Sequence, residues 1–152
     1  MKTKAMHFLK VIDEMNKWDS KDIVSWQNKQ LKDLINHCYH NTIYYKNLFD
    51  ENNILPSDIN SKEDLNKIPP LTKDLIKKNY EDIIPKNIKK HNYKSGQTGG
   101  STAEPLRYFQ DLKSWSYCYA NGLYNWGDIG YNVGDKFLTL GSSSIIPSVK
   151  TS

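Results

Sequence analysis

The stretch richest in chemical possibility is Lys94-Ser95-Gly96-Gln97-Thr98-Gly99-Gly100-Ser101-Thr102-Ala103-Glu104-Pro105-Leu106. Three glycines and four hydroxyl residues fall between Ser95 and Thr102, and a proline closes the run. Glycine carries a large entropic cost on folding, so a cluster of it marks backbone that bends sharply or approaches another group closely. Successive backbone N–H groups turned inward, with Ser and Thr hydroxyls beside them, make a concavity suited to phosphate oxygens. The first expectation is therefore a loop that grips an anion.

Three familiar loops fit poorly. A Walker loop needs Lys and Ser/Thr directly after its last glycine, at the head of a helix. Here Ser101-Thr102-Ala103 follow Gly100, and Pro105 stands where that helix would begin. A dinucleotide-binding G-x-G-x-x-G is absent. Gly99-Gly100-Ser101-Thr102-Ala103 approaches the G-x-S-x-G nucleophile elbow, but Pro105 opposes the helix that motif requires, and no histidine follows His91 to act as base. A phosphate loop between two strands is what remains.

The surrounding pattern supplies elements to hold it. Asp22 to Phe49 reads as a long helical segment with one break. Its apolar stripe is Val24, Leu31, Leu34, Ile35, Cys38, Thr42, Tyr45 and Leu48 at three- and four-residue steps. The aromatic residues along it are expected to be core. His37 and His40 share a helical face, but no third ligand stands near, so no metal site is expected. Ser61 with Asp64 looks like the N-cap pair of a short helix that Pro69-Pro70 must stop. Thr72 looks like the cap of the next, with Asp74 in its first turn and Leu75, Ile76 and Tyr80 on its buried side. Lys86, Lys89, Lys90 and Lys94 lead to the loop and read first as a solvated face, with a local positive field as the second reading. Leu106 to Gln110 is strand-like. Asp111 caps a helix running to about Trp126, whose apolar face would be Leu112, Trp115, Tyr119, Leu123 and Trp126. Gly127, Gly130 and Gly134 form a turn-rich link, and Lys136 to Leu140 reads as a buried strand.

Bulk properties narrow the classes. The chain has 152 residues, enough for one modest core. A net charge of +4, dispersed along the sequence, does not argue for nucleic acid. Cys38 and Cys118 stand alone, which favours a reducing compartment. Lys10, Asp13 and Glu14 interrupt any signal-peptide core, and nothing approaches the roughly 18 apolar residues of a membrane span. A cytoplasmic protein, with neither nucleic-acid nor membrane partner, is expected. The fold class is α/β, an N-terminal helical region (1–85) preceding a partial α/β nucleotide-binding region (86–152) with an incomplete sheet. So few strands leave exposed edges, and the chain reads as cut short.

Thr98-Gly99-Gly100-Ser101-Thr102-Ala103-Glu104-Pro105-Leu106-Arg107-Tyr108 resembles the ATP-phosphate loop of AMP-forming (adenylate-forming) ligases. The resemblance is to the phenylacetate–CoA ligase branch and its relatives in capsular polysaccharide biosynthesis. Thr42-Ile43-Tyr44-Tyr45-Lys46-Asn47-Leu48-Phe49, Ser61-Lys62-Glu63-Asp64-Leu65 and Ile68-Pro69-Pro70-Leu71-Thr72-Lys73-Asp74-Leu75 extend it upstream, so that it runs from about Leu31 to Leu140. Ala103 departs from it, standing where the family usually has its last loop glycine. The resemblance implies a ligase that uses ATP, Mg and CoA. A carboxylate attacks the α-phosphate, giving acyl-AMP and pyrophosphate, and a thiol then displaces AMP. Thr98, Gly99, Gly100, Ser101 and Thr102 would bind the β- and γ-phosphates, with Lys94 as a marginal addition. The family's adenine and ribose motifs, metal-binding carboxylate and catalytic lysine have no counterpart here. The expectation is thus an N-terminal fragment with no catalytic residue of its own, inactive without a missing C-terminal part. The alternative is a non-catalytic module binding a nucleotide or a protein.

Overall fold

The computed structural model describes residues 2–90, 92–98 and 105–138. Six α-helices and one pair of strands are found among them: α1 (Lys2–Met15), α2 (Ser20–Asn41), α3 (Ile43–Glu51), α4 (Lys73–Lys78), α5 (Tyr80–Ile83), β1 (Tyr93–Gln97), β2 (Arg107–Asp111) and α6 (Leu112–Gly127). The chain is mostly helical, and β1 and β2 form a two-stranded antiparallel sheet.

The expected break in the long helix falls at Thr42. Its extended backbone ends α2 and starts α3. The Thr42 hydroxyl donates to the Cys38 carbonyl at 2.8 Å and accepts from the Tyr45 N–H at 3.2 Å, so one buried side chain serves both helix ends. The kink folds α3 back on α2 and encloses a core of Ile35, Phe49, Ile54 and Ile59, flanked by Leu31, Tyr39, Tyr45 and Ile68. Not all of the expected stripe is inside. Val24 and Leu34 are exposed, because α3 covers only the later turns of α2, and Leu34 sits one position off the line Leu31–Ile35–Cys38–Thr42.

Past this core the caps fall at the expected residues. Asp64 accepts from the N–H groups of Asn60 (2.9 Å) and Ser61 (3.1 Å), at the head of a 3-10 turn, Lys62–Lys67. Thr72 caps α4 by accepting from the Leu75 N–H. Ile76 and Tyr80 are half-buried as expected, whereas Leu75 is exposed. α5 lies against α3, and the Lys86 N–H donates to the Asn41 carbonyl at 2.7 Å, tying the following segment to the end of α2.

A second packing unit joins the first helix to the last. α1 lies along α6, with Ala5 and Ile12 buried from one side and Ser116, Ala120 and Leu123 from the other. The buried Ser116 hydroxyl donates to the Leu112 carbonyl at 2.7 Å, so it carries no unmet hydrogen bond. The inward face of α6 differs from the expected one. Leu123 belongs to it, but Trp115, Tyr119 and Trp126 are about 40% exposed. Small residues bring two helices close, so the helix turns its alanine and serine inward and leaves its rings at the margin.

Gly130 and Gly134 adopt positive φ in the turn-rich link, as their residue type suggests. Residues 136–138 of the expected final strand carry no strand structure, and 139–140 lie outside the described residues. Phe137 instead joins Trp126 and Tyr131 in a ring cluster, with centroids 5.6–5.8 Å apart.

Candidate functional site

The glycine-rich stretch begins inside β1 and ends just before β2, so the two strands are the two arms that present it. Pairing runs Tyr93↔Asp111, Lys94↔Gln110, Ser95↔Phe109, Gly96↔Tyr108 and Gln97↔Arg107. One step beyond the last pair, the Thr98 N–H donates to the Leu106 carbonyl at 2.9 Å and the Leu106 N–H donates to Thr98 Oγ1 at 3.0 Å. Thr98 thus locks both ends of the loop. Of the expected phosphate-binding residues, Thr98 is described, and Gly99, Gly100, Ser101 and Thr102 lie outside the described residues, as does Ala103. The span from Thr98 to Leu106 is eight positions. That exceeds the loops of about two to five residues that commonly join hairpin strands, so strand connection alone does not require it. Long loops held on rigid arms are where binding residues concentrate.

An isolated hairpin is marginal in water and needs a third layer. The face carrying Lys94, Gly96, Tyr108 and Gln110 finds it in α6. The Lys94 ammonium sits 4.9 Å from the centre of the Trp115 ring, and Gln110 Nε2 lies 3.7 Å from Cys118 Sγ. Lys94, the marginal phosphate candidate, is therefore engaged on the α6 side. Gly96 matters for packing: the Tyr108 ring covers it so closely that a Cβ there would stand 2.5 Å from Cζ. β2 leads directly into α6, whose first turn is capped by the Asp111 carboxylate accepting from the Ser114 N–H.

The opposite face carries Tyr93, Ser95, Gln97, Arg107 and Phe109, with the Tyr93 and Phe109 rings 5.1 Å apart. It looks across a cavity of about 770 Å³ towards Tyr80, Glu81 and Ile84. Arg107 forms no ion pair with any described residue, and it stands at the end of β2 nearest the loop. The sequence places Arg107 in the strand-like run Leu106 to Gln110 and in the loop's resemblance, without a role of its own. Its signal was the strand alternation, which puts it opposite Gln97 and two positions from Phe109. A smaller and more apolar cavity, about 410 Å³, lies between α1, α2 and the head of α6, walled by Phe8, Trp18, Trp26 and Tyr117.

Other candidates are structural. His37 engages the Asn41 side chain at 3.3 Å, and among the described residues no group of three or more His, Cys, Asp or Glu could hold a metal ion. Asp64 is held down at about 2, by the Lys67 ammonium first and then by the N–H of Asn60, but its carboxylate is a helix cap. Burial pushes the Cys38 thiol up, away from the thiolate a nucleophile needs. No helix among the described residues is long and apolar enough to cross a membrane.

Comparison with known proteins adds one relative and no family. No family model matches the chain. It is similar to Protein CapK of Staphylococcus aureus, 29% identical over 126 residues that cover 83% of this chain and 27% of CapK. The aligned stretch therefore spans about a quarter of that relative's length.

Proposed function

We propose that this chain is the N-terminal, phosphate-holding part of an ATP-dependent, AMP-forming carboxylate–CoA ligase of the phenylacetate–CoA ligase type, working in the cytoplasm in polysaccharide biosynthesis. The observation that carries the reading is the Thr98–Leu106 closure. It pins both ends of a Gly/Ser/Thr segment longer than its hairpin needs. Held there, Thr98 and the residues through Thr102 would offer N–H groups and hydroxyls to the β- and γ-phosphates. Their contribution is positioning and charge stabilisation, keeping pyrophosphate in line as a leaving group. Two features of the described residues support a phosphate ligand: the Thr98–Leu106 closure, and Arg107 at the end of β2, which forms no ion pair with any described residue. Among the described residues no group of three or more His, Cys, Asp or Glu could hold a Mg²⁺ ion. They offer nothing that argues for a CoA pocket.

On this reading adenylation belongs to the longer protein and not to this stretch alone. The surface agrees. The outer edges of β1 and β2 are unpaired among the described residues, and Trp115, Tyr119 and Trp126 on α6 and Phe137 and Leu138 beyond it are exposed. A continuing domain would cover both. The same surface would serve the second reading, a non-catalytic nucleotide- or protein-binding module.

Calorimetry of the purified chain with ATP and Mg²⁺ tests the proposal. Saturable binding that is lost in the Ser101→Ala/Thr102→Ala double variant is expected. Absence of binding, or binding indifferent to both hydroxyls, refutes the phosphate loop. Reading the nucleotide sequence beyond Ser152 for a frame carrying the remaining ligase motifs tests the link to catalysis.

A further inference from the structure

The cavity between α5 and the outward face of the hairpin has a charge arrangement that the loop reading does not use. On the hairpin wall, Arg107 brings a permanent cation with up to five donors in a planar fork, the geometry that matches phosphate. Gln97, its partner across the strands, and Ser95, two residues further along the same face, add an amide and a hydroxyl. No described carboxylate neutralises the guanidinium. The facing wall is α5, and its Glu81 is the acid that lines the cavity. Aromatic rings of Tyr80 and Phe109 complete the lining. At about 770 Å³ the space lies within the usual range for small-molecule sites, roughly 300–1,000 Å³.

We propose that this cavity is a polyphosphate seat and that Arg107 is its anchoring residue, holding the phosphate chain from the side of the hairpin opposite α6. The inference rests on the phosphate-loop reading and extends it from the loop to a second wall. It divides the labour between the hairpin's two cations. Lys94 is spent on Trp115 and fastens the hairpin to α6, while Arg107 lines the cavity and forms no ion pair with any described residue. It also gives Glu81 a defined effect. A carboxylate on the far wall opposes a bare polyanion, so it limits the binding of free polyphosphate and favours a chain whose charge a divalent cation has partly neutralised.

The test is titration calorimetry on the full chain at low ionic strength, with metal-free tripolyphosphate and with Mg²⁺·ATP as separate ligands. Arg107→Gln is expected to weaken tripolyphosphate about tenfold or more, the usual scale for losing a charge-assisted hydrogen bond. Arg107→Lys should recover part of that loss. Glu81→Gln should move the other way and tighten tripolyphosphate severalfold, while changing Mg²⁺·ATP less. Because Glu81 lies on α5 and Arg107 on β2, a folding defect in the hairpin would not produce opposite shifts, and thermal melts of each variant check the fold. Saturable ATP binding that responds to Ser101→Ala/Thr102→Ala but not to Arg107→Gln overturns the inference and leaves the loop reading standing. Tripolyphosphate binding without ATP binding supports the seat and overturns its assignment to a nucleotide. No saturable binding of either ligand overturns both.

Discussion

Replacing Thr42 by alanine should destabilise the chain by about 2 kcal/mol. The side chain is buried, and its hydroxyl caps α3 through the Tyr45 N–H while donating to the Cys38 carbonyl. Losing an N-cap hydroxyl costs typically about 1 kcal/mol, within roughly 0.5–2. The Cys38 carbonyl keeps a partner, since it also accepts from the Thr42 N–H at 3.1 Å, so loss of the second bond adds little. The lost methyl adds about 0.8 kcal/mol of burial. For a chain of this length each kcal/mol lowers the melting temperature by about 2–4 °C, so Thr42→Ala should melt about 4–8 °C lower. The decomposition is separable. Thr42→Val keeps the shape and should lose only the cap, about 1 kcal/mol, while Thr42→Ser keeps the cap and should lose only the methyl. Urea unfolding followed by far-UV circular dichroism, at constant slope, reads all three. A valine variant within about 0.3 kcal/mol of the parent would refute the capping argument, leaving Thr42 as a packing residue only.

Three further predictions follow from the same geometry. Asp64 titrates at about 2 rather than at the ordinary 3.8, because Lys67 and the Asn60 and Ser61 N–H groups hold its charged form. Its contribution to stability is therefore fully present above pH 4 and lost as pH falls towards 2, and acid titration of Asp64→Asn should show that portion of the slope missing. Gly96→Val should loosen the hairpin, because its side chain meets the Tyr108 ring. Adding Tyr108→Ala should restore amide exchange protection at Lys94 and Gln110, a pair in line with the Thr98–Leu106 and Asn92–Leu112 hydrogen bonds, and failure of that rescue would show that the ring is not the obstacle. The exposed Cys118 should react with a thiol reagent well before the half-buried Cys38. Equal rates would show that the α2–α3 unit opens readily.

The parts of the fold that the sequence declares most openly are those governed by local rules. Asp64, Thr72 and Asp111 stand at the helix or turn boundaries expected of them, because capping depends on a side chain and backbone only a few residues apart, whereas Thr42, read as part of the apolar stripe, is the cap of α3. The strand after Pro105 was legible from its alternation. The helix facing was not. Hydrophobicity alone assigned Trp115, Tyr119 and Trp126 to the buried side of α6, whereas the true partner is α1, more than a hundred positions upstream of Trp126, and it selects Ser116 and Ala120. Nothing local to residues 112–127 announces that partner. The site divides the same way. The composition of the loop draws attention at once, yet Arg107 acquires a role only when strand register sets it on the same face as Ser95 and Gln97, across a cavity from an α5 that is itself positioned by α3.

The pairing of α1 with α6 also sets an order of events during synthesis. Everything that builds the α2–α3 core leaves the ribosome early and can assemble from neighbouring segments. α1 emerges before all of it, yet it meets its partner only after α6 is complete, about a hundred residues later. At about 5–20 residues per second the first helix waits several seconds or longer with Phe8, Val11 and Ile12 uncovered. The hairpin is carried on the same late segment, so β1 and β2 reach their support on α6 in the same step that shelters α1. A chaperone that recognises short apolar helices would find its target in α1 during that interval.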